Sequence, residues 1–192
     1  MVQINSHTKY YWKKFDKKVD MFNKSSKLLD YFGPMMEGDT VRIAEVGCGL
    51  VNTIGDSWPN VDVHVVCSDI NADSFNSMWE EMKKKPLHKI HKEDVEALSY
   101  KEGEFDIVHC RNALDHTADP LRAIGEFKRV AGRFVYLCHA ERQRELFGGH
   151  HLWDVKYEDG KCYFYGNEYS FFLSDLWKVS FDGEFVHCIY EI

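Results

Sequence analysis

The sequence predicts an α/β protein built on a doubly wound, mostly parallel sheet, with antiparallel C-terminal strands and an N-terminal helix. Three observations carry this. From Val41 onward, the short apolar runs VRIAEV, VDVHVVCSD, FDIVHC and RFVYLCH alternate with longer amphipathic segments, which is the rhythm of βαβ units. The first run leads into a Gly47-Cys48-Gly49 turn, where missing side chains let the backbone approach a ligand closely. After Glu141, aromatic and β-branched runs are divided by Glu-Asp-Gly at 158–160 and Asp-Gly at 182–183, which are hairpin signals.

The elements follow in order. Across residues 8–32, Trp12, Phe15, Val19, Phe22 and Leu29 recur at three- and four-residue intervals, so an amphipathic helix is expected there, closed by Gly33-Pro34. Its lysines face solvent around the apolar stripe. A helix is expected from about Leu50, directly after the glycine turn, and others near residues 71–84 and 119–130. The last of these opens on Asp119-Pro120, an N-cap followed by proline at the first helical position. No linker or internal repeat divides the chain, so residues 1–192 read as one domain with segments at 1–34, 41–140 and 141–192.

Composition narrows the function. The chain has 192 residues, 24 Lys+Arg against 31 Asp+Glu, and a formal charge of −7, a balance that disfavours general affinity for nucleic acid. All four prolines are isolated, so no Pro-Pro motif of the kind that holds an exocyclic amine of a base is present. No run approaches the ~18 apolar residues of a membrane span, and the first residues lack an apolar signal core, so a cytoplasmic location is expected. Six scattered cysteines with no Cys-x-x-Cys pair read as buried thiols.

The strongest local signal is AEVGCGLV at 44–51. A dinucleotide fingerprint would need glycine where Asn52 stands, and Glu45 two residues before Gly47 also argues against a nicotinamide cofactor. Asp69 ends the next strand, where such a sheet presents a carboxylate to a ribose diol, and Asp94 follows in HKEDVEAL.

With these residues the chain resembles the class I S-adenosylmethionine-dependent methyltransferases, a Rossmann-like family, and within them the small-molecule type 11 group. The family's acid-x-Gly-x-Gly-x-Gly motif corresponds to Glu45-Val46-Gly47-Cys48-Gly49-Leu50-Val51, with Val51 in place of the third glycine. The resemblance implies that Glu45, Gly47, Cys48 and Gly49 form the cofactor loop. It also implies that Asp69 binds the ribose, Ile70 packs on the adenine, and Asp94 with Val95 meets the adenine amino group and ring. Arg111, and Tyr11 from an N-terminal helical lid over residues 1–34, complete the implied cofactor set. FDIVHCRNALDHTADPLRAIGEFKRV at 105–130 is similar to the family's fourth strand, its Leu-acid-His segment and the following helix. Residues 41–140 are then the cofactor-binding core and 141–192 the acceptor side.

Methyl transfer from a sulfonium is an in-line displacement, and an alcohol acceptor must also lose a proton. Histidine suits that task. His116, in Leu114-Asp115-His116, falls at the carboxyl edge of the sheet, with Asp115 beside it. The second candidate lies in GGHHLWD at 148–154, which resembles a Gly-x-His-x-Trp segment of methyltransferases associated with sugar and surface-polysaccharide genes; His151, not His150, is in register. Metal binding by His139, His150, His151 and Asp154 is not expected, because adjacent histidines do not both face one ion easily and no helical i, i+4 pair is present.

The expected function is therefore S-adenosylmethionine-dependent O-methylation of a small-molecule or glycan hydroxyl, with Asp115, His116 and His151 as the acid-base group. The alternative is a catalytically degenerate S-adenosylmethionine-binding sensor or partner subunit. The aromatic tail (Tyr157, Tyr163, Phe164, Tyr165, Tyr169, Phe171, Phe172, Trp177) suits a core, an acceptor wall or a contact between copies in a homo-oligomer.

Overall fold

A computed structural model describes residues 28–55, 58–141 and 151–192. The chain divides into two compact units, one ending at Asp94 and one beginning at Val95. The bulk of the expected N-terminal helix, with Tyr11 and Trp12, lies outside the described residues, as do His150 and both glycines of the 148–149 pair.

In the first unit, helix α1 (Leu28–Phe32) ends in a 3-10 turn at Gly33–Met35 containing Pro34, as Gly33-Pro34 predicts. Strands β1 (Thr40–Val46) and β2 (Asp62–Asp69) run parallel with Glu45 opposite Cys67 and Val46 opposite Ser68. Helix α2 (Ala72–Glu81) then leads to β3 (Ile90–Lys92), parallel to β2. Ile90 is the one apolar residue in β3, too little for a periodicity signal, and the sequence reading missed this strand.

The helix expected from about Leu50 is absent. Residues 50–55 form a loop, and groups elsewhere in the chain bond its backbone and side chains. Trp79 Nε1 donates to the Leu50 carbonyl at 2.9 Å, and the His88 amide donates to Asn52 Oδ1 at 2.9 Å. Glu45 accepts from the Thr53 amide at 2.9 Å and from the Thr53 hydroxyl. Leu50 and Val51 are buried with Ala72, Phe75, Met78, Trp79 and Ile90 in one apolar cluster, so the loop is held by packing as well.

In the second unit, β4 (Phe105–Arg111) and β5 (Ala131–Ala140) are parallel and joined through helix α3 (Pro120–Val130). Asp119 caps α3 by accepting from the Arg122 amide at 3.0 Å. Strand β10 (Phe185–Glu191) is antiparallel to β5 and to β9 (Lys178–Phe181), whose hairpin turn carries Gly183 at φ +95°. A separate antiparallel sheet holds β6 (Asp154–Glu158), β7 (Lys161–Tyr165) and β8 (Ser170–Phe172), in that order. Its first turn has Asp159 and Gly160 both at positive φ, the backbone a two-residue hairpin needs. The antiparallel C-terminal strands are thus where the turn signals placed them. Among the described residues no helix is long and apolar enough to cross a membrane.

His109 on β4 supplies a stability prediction. It is fully buried, stacked on Tyr136 with ring centroids 5.3 Å apart, and Tyr136 in turn bonds His187 Nδ1 at 2.8 Å. Burial pushes its pKa down to about 3, and the charges of Arg111 on the same strand and His139 on β5 add to the effect. Below about pH 6.5 the unfolded imidazole binds a proton that the folded one refuses until about pH 3, so stability falls as pH drops through that window. Urea unfolding at pH 7 and pH 5 is expected to show a loss smaller by about 2 kcal/mol in His109→Leu than in wild type. Equal losses would mean that His109 is charged in the folded protein.

Candidate active site

The first unit contains the glycine loop. Gly47 and Gly49 adopt φ of +64° and +68°, a left-handed backbone that side chains rarely tolerate, and nothing lies within 4 Å of where a Cβ on Gly49 would stand. The loop is fastened on two sides. The Cys48 amide donates to the Ser68 carbonyl at 3.0 Å, and the Gly49 amide donates to Asp69 Oδ2 at 3.0 Å. Asp69 Oδ1 accepts from the Asn71 amide at 2.8 Å, so this carboxylate joins the loop to the end of β2 and the start of α2.

The other expected cofactor residues fall as follows. Glu45 points inward, 1% exposed, toward Thr53 and Cys67, so its part in the loop is to hold Thr53 in place. Val51 is turned into the apolar cluster and does not line the open side of the glycines. Ile70 is 57% exposed directly after Asp69. Asp94 is exposed and Val95 half-buried. A hydrogen bond with Cys67 would lower the Cys48 pKa, but burial and the charges of Glu45 and Asp69 raise it, which keeps that thiol protonated. The open space at Gly49, a carboxylate at the end of β2 and an exposed aliphatic side chain fit a nucleoside with a ribose diol and an apolar base.

The second unit contains an acid-histidine cluster. Asp115, in the 3-10 turn Leu114–His116, is 1% exposed and accepts from His151 Nδ1 on Oδ2 at 2.6 Å. An ionised carboxylate only accepts, so the His151 proton sits on Nδ1 and Nε2 carries the lone pair. Asp115 Oδ1 lies 3.9 Å from His116 Nε2 and 3.9 Å from His139 Nδ1. The His116 and His151 rings are 4.3 Å apart. Burial alone would raise the Asp115 pKa. The hydrogen bond from His151 and the charges of His116, His139 and His151 reverse this and hold the carboxyl well below the usual carboxylate range.

Main-chain bonds fix His151 against the turn. The Asp115 carbonyl accepts from the Leu152 amide at 2.7 Å and the Trp153 amide at 3.3 Å, while Trp153 Nε1 donates to the Thr117 carbonyl at 2.9 Å. Trp153 is boxed in by Tyr169 at 4.9 Å, Phe171 at 5.7 Å and the backbone of Gly166. A Cβ on Gly166 would lie 2.5 Å from Trp153 Cζ3. Gly166→Ala is therefore expected to destabilise the protein by about 1–3 kcal/mol in denaturant unfolding and to shift the Trp fluorescence; unchanged stability would show that the indole is not wedged there. Thr117 and Gly166 were not singled out from the sequence, since each is local to a turn or loop with no motif of its own, and His139 was weighed there only as a metal ligand beside His150, His151 and Asp154. Arg111, expected at the cofactor, has its guanidinium 4.7 Å over the Phe185 ring.

Comparison with known proteins agrees with this architecture. The family described as "Methyltransferase domain" matches residues 44–135, from the glycine loop into β5. Residues 44–135 are thus similar to methyltransferase domains of the type 11 group, a match that supports S-adenosylmethionine as the cofactor. Among solved structures, a putative S-adenosylmethionine-dependent methyltransferase from Methanococcus maripaludis is similar at 13% identity and a TM-score of 0.54, over 76% of this chain and 68% of that one. An S-adenosylmethionine-dependent methyltransferase from Clostridium acetobutylicum is similar at 12% identity and a TM-score of 0.50, over 98% of this chain and 99% of that one. At these identities the likeness is one of fold. The chain spans 53% of a similar Bacillus subtilis protein, 33% of a carbon methyltransferase and 46% of a [4+2]-cyclase. No curated protein matches the chain.

Proposed function

We propose that the protein is an active methyltransferase that methylates a hydroxyl of a small molecule or glycan, with His151 as the proton acceptor. The observation that carries the reading is the 2.6 Å bond from His151 Nδ1 to the buried Asp115 carboxylate, which leaves Nε2 as a fixed acceptor. S-adenosylmethionine held at the glycine loop would supply an electrophilic methyl group. In this reading Asp69 and the Gly47–Gly49 backbone hold the nucleoside, and Ile70 covers its base. His151 Nε2 takes the hydroxyl proton as the new carbon–oxygen bond forms. Asp115 is a positioning residue: it selects the tautomer and stabilises the imidazolium that results. His116, 28% exposed beside the His151 ring, is the alternative acceptor. A glycan or other polyhydroxyl acceptor is favoured by the Gly-x-His-x-Trp segment and by the exposed rings of Tyr169 and Phe172 on the same unit.

The test is release of S-adenosylhomocysteine against a panel of hydroxyl acceptors that begins with sugars, using wild type, His151→Ala and His116→Ala. The reading expects His151→Ala to lose turnover while still binding cofactor. Full turnover in both variants would remove the histidine-base assignment, and cofactor binding without turnover of any acceptor would favour the sensor reading.

A further inference from the structure

We propose that Asp115, His116 and His151 form a binding site for a late first-row divalent metal ion, with zinc as the natural probe. One donor atom from each lies within 4.8 Å of the other two, and the chemistry is that of a three-ligand site, two imidazoles and one carboxylate. This goes beyond the methyltransferase reading and stands or falls separately from it.

The geometry needs little change. Tetrahedral zinc with bonds of about 2.0–2.1 Å separates its donors by about 3.3–3.5 Å. Asp115 Oδ2 and His151 Nδ1, now 2.6 Å apart, would open slightly, and His116 Nε2, now 3.9 Å from Asp115 Oδ1, would close slightly. Two of the three residues are already fixed. The Asp115 main chain is bonded to Leu152 and Trp153, so the 151–153 segment and the 114–116 turn form one rigid piece. His116 is the least buried of the three at 28% exposure, which gives an ion its way in. The charge also suits: the site places one carboxylate at 1% exposure among imidazoles, where a cation offsets buried negative charge.

Binding has a defined chemical consequence. When His151 Nδ1 bonds the metal, its proton moves to Nε2, with no change in proton number. Nε2 then has no lone pair to offer a substrate hydroxyl. If His151 is the base, the metal is an inhibitor of methyl transfer that a chelator relieves.

The experiment titrates chelator-treated, full-length protein with Zn2+ by calorimetry and with Co2+ by visible absorption. The expected result is one ion per chain, and a Co2+ spectrum of a low-symmetry nitrogen and oxygen site without a thiolate charge-transfer band. Affinity should fall about hundredfold in Asp115→Asn and at least about tenfold in His116→Gln. The half-exposed His116 keeps the test decisive if Asp115→Asn misfolds. No binding by wild type, equal affinity in His116→Gln, or a thiolate band would overturn the proposal. None of these outcomes touches the methyltransferase reading, which is judged by cofactor binding and turnover.

Discussion

Asp115→Asn is expected to keep its affinity for S-adenosylmethionine while its kcat for methyl transfer falls by about 10²–10⁴. The asparagine amide can present its NH2 to His151 Nδ1, which stabilises the opposite tautomer and puts the proton on Nε2. The acceptor hydroxyl then meets a donor where it needs a base. Asp115 is assigned to the proton acceptor and not to the cofactor loop, so the loss should be in kcat while the cofactor dissociation constant is unchanged. His151→Gln should lose turnover to a similar extent. Because Asp115 is buried and bonded to three neighbours in chain and ring, the variant is read only after its circular dichroism matches wild type. A variant that folds, binds cofactor and turns over at the wild-type rate would remove Asp115 and His151 from the chemistry.

Asp69→Ala is expected to weaken S-adenosylmethionine binding by about 10²-fold or more. Two effects combine. The proposed ribose diol loses a charged acceptor, and hydrogen bonds to charged groups contribute about 1.5–3 kcal/mol. The Gly49 and Asn71 amides also lose the carboxylate that now ties the loop to α2. Asp73→Ala is the matched control. Its carboxylate lies four residues on, in the first turn of α2, is exposed, and is paired with Lys92 at 2.6 Å, so its removal should change cofactor affinity little. Equal losses in the two variants would point to bulk charge and not to a contact with Asp69.

Elements with their own periodicity were legible. Each of the four apolar runs from VRIAEV to RFVYLCH became a strand, and Asp119-Pro120 opened a helix whose cap is the aspartate. The hairpin glycines at 160 and 183 stand at positive φ, the conformation that marked them as turn residues. What failed was decided by partners far away in sequence. The segment after Gly49 reads as a helix start, yet Glu45, Trp79 and His88 take up its backbone and side chains and leave a buried loop. Strand β3 has a single apolar residue and owes its place to pairing with β2.

The candidate site divides the same way. Gly47, Gly49 and Asp69 are read from one strand-turn and the strand after it, so the loop was visible in the sequence, although the inward turn of Val51 was not. The Asp115–His151 bond spans 36 residues, and no spacing rule connects two such positions. The sequence offered His116 and His151 as rivals. The fold instead sets both around one carboxylate, which is why the same three residues also carry the metal-site proposal.

In the proposed reading the glycine loop and Asp69 hold S-adenosylmethionine, and calorimetric titration of the wild-type protein with S-adenosylmethionine, beside Gly47→Val, tests this. One molecule is expected to bind per chain, and that binding should be lost in Gly47→Val, since Gly47 stands at φ +64° in the loop. Absence of binding by folded wild type would overturn the cofactor assignment and leave the chain a methyltransferase fold without its cofactor.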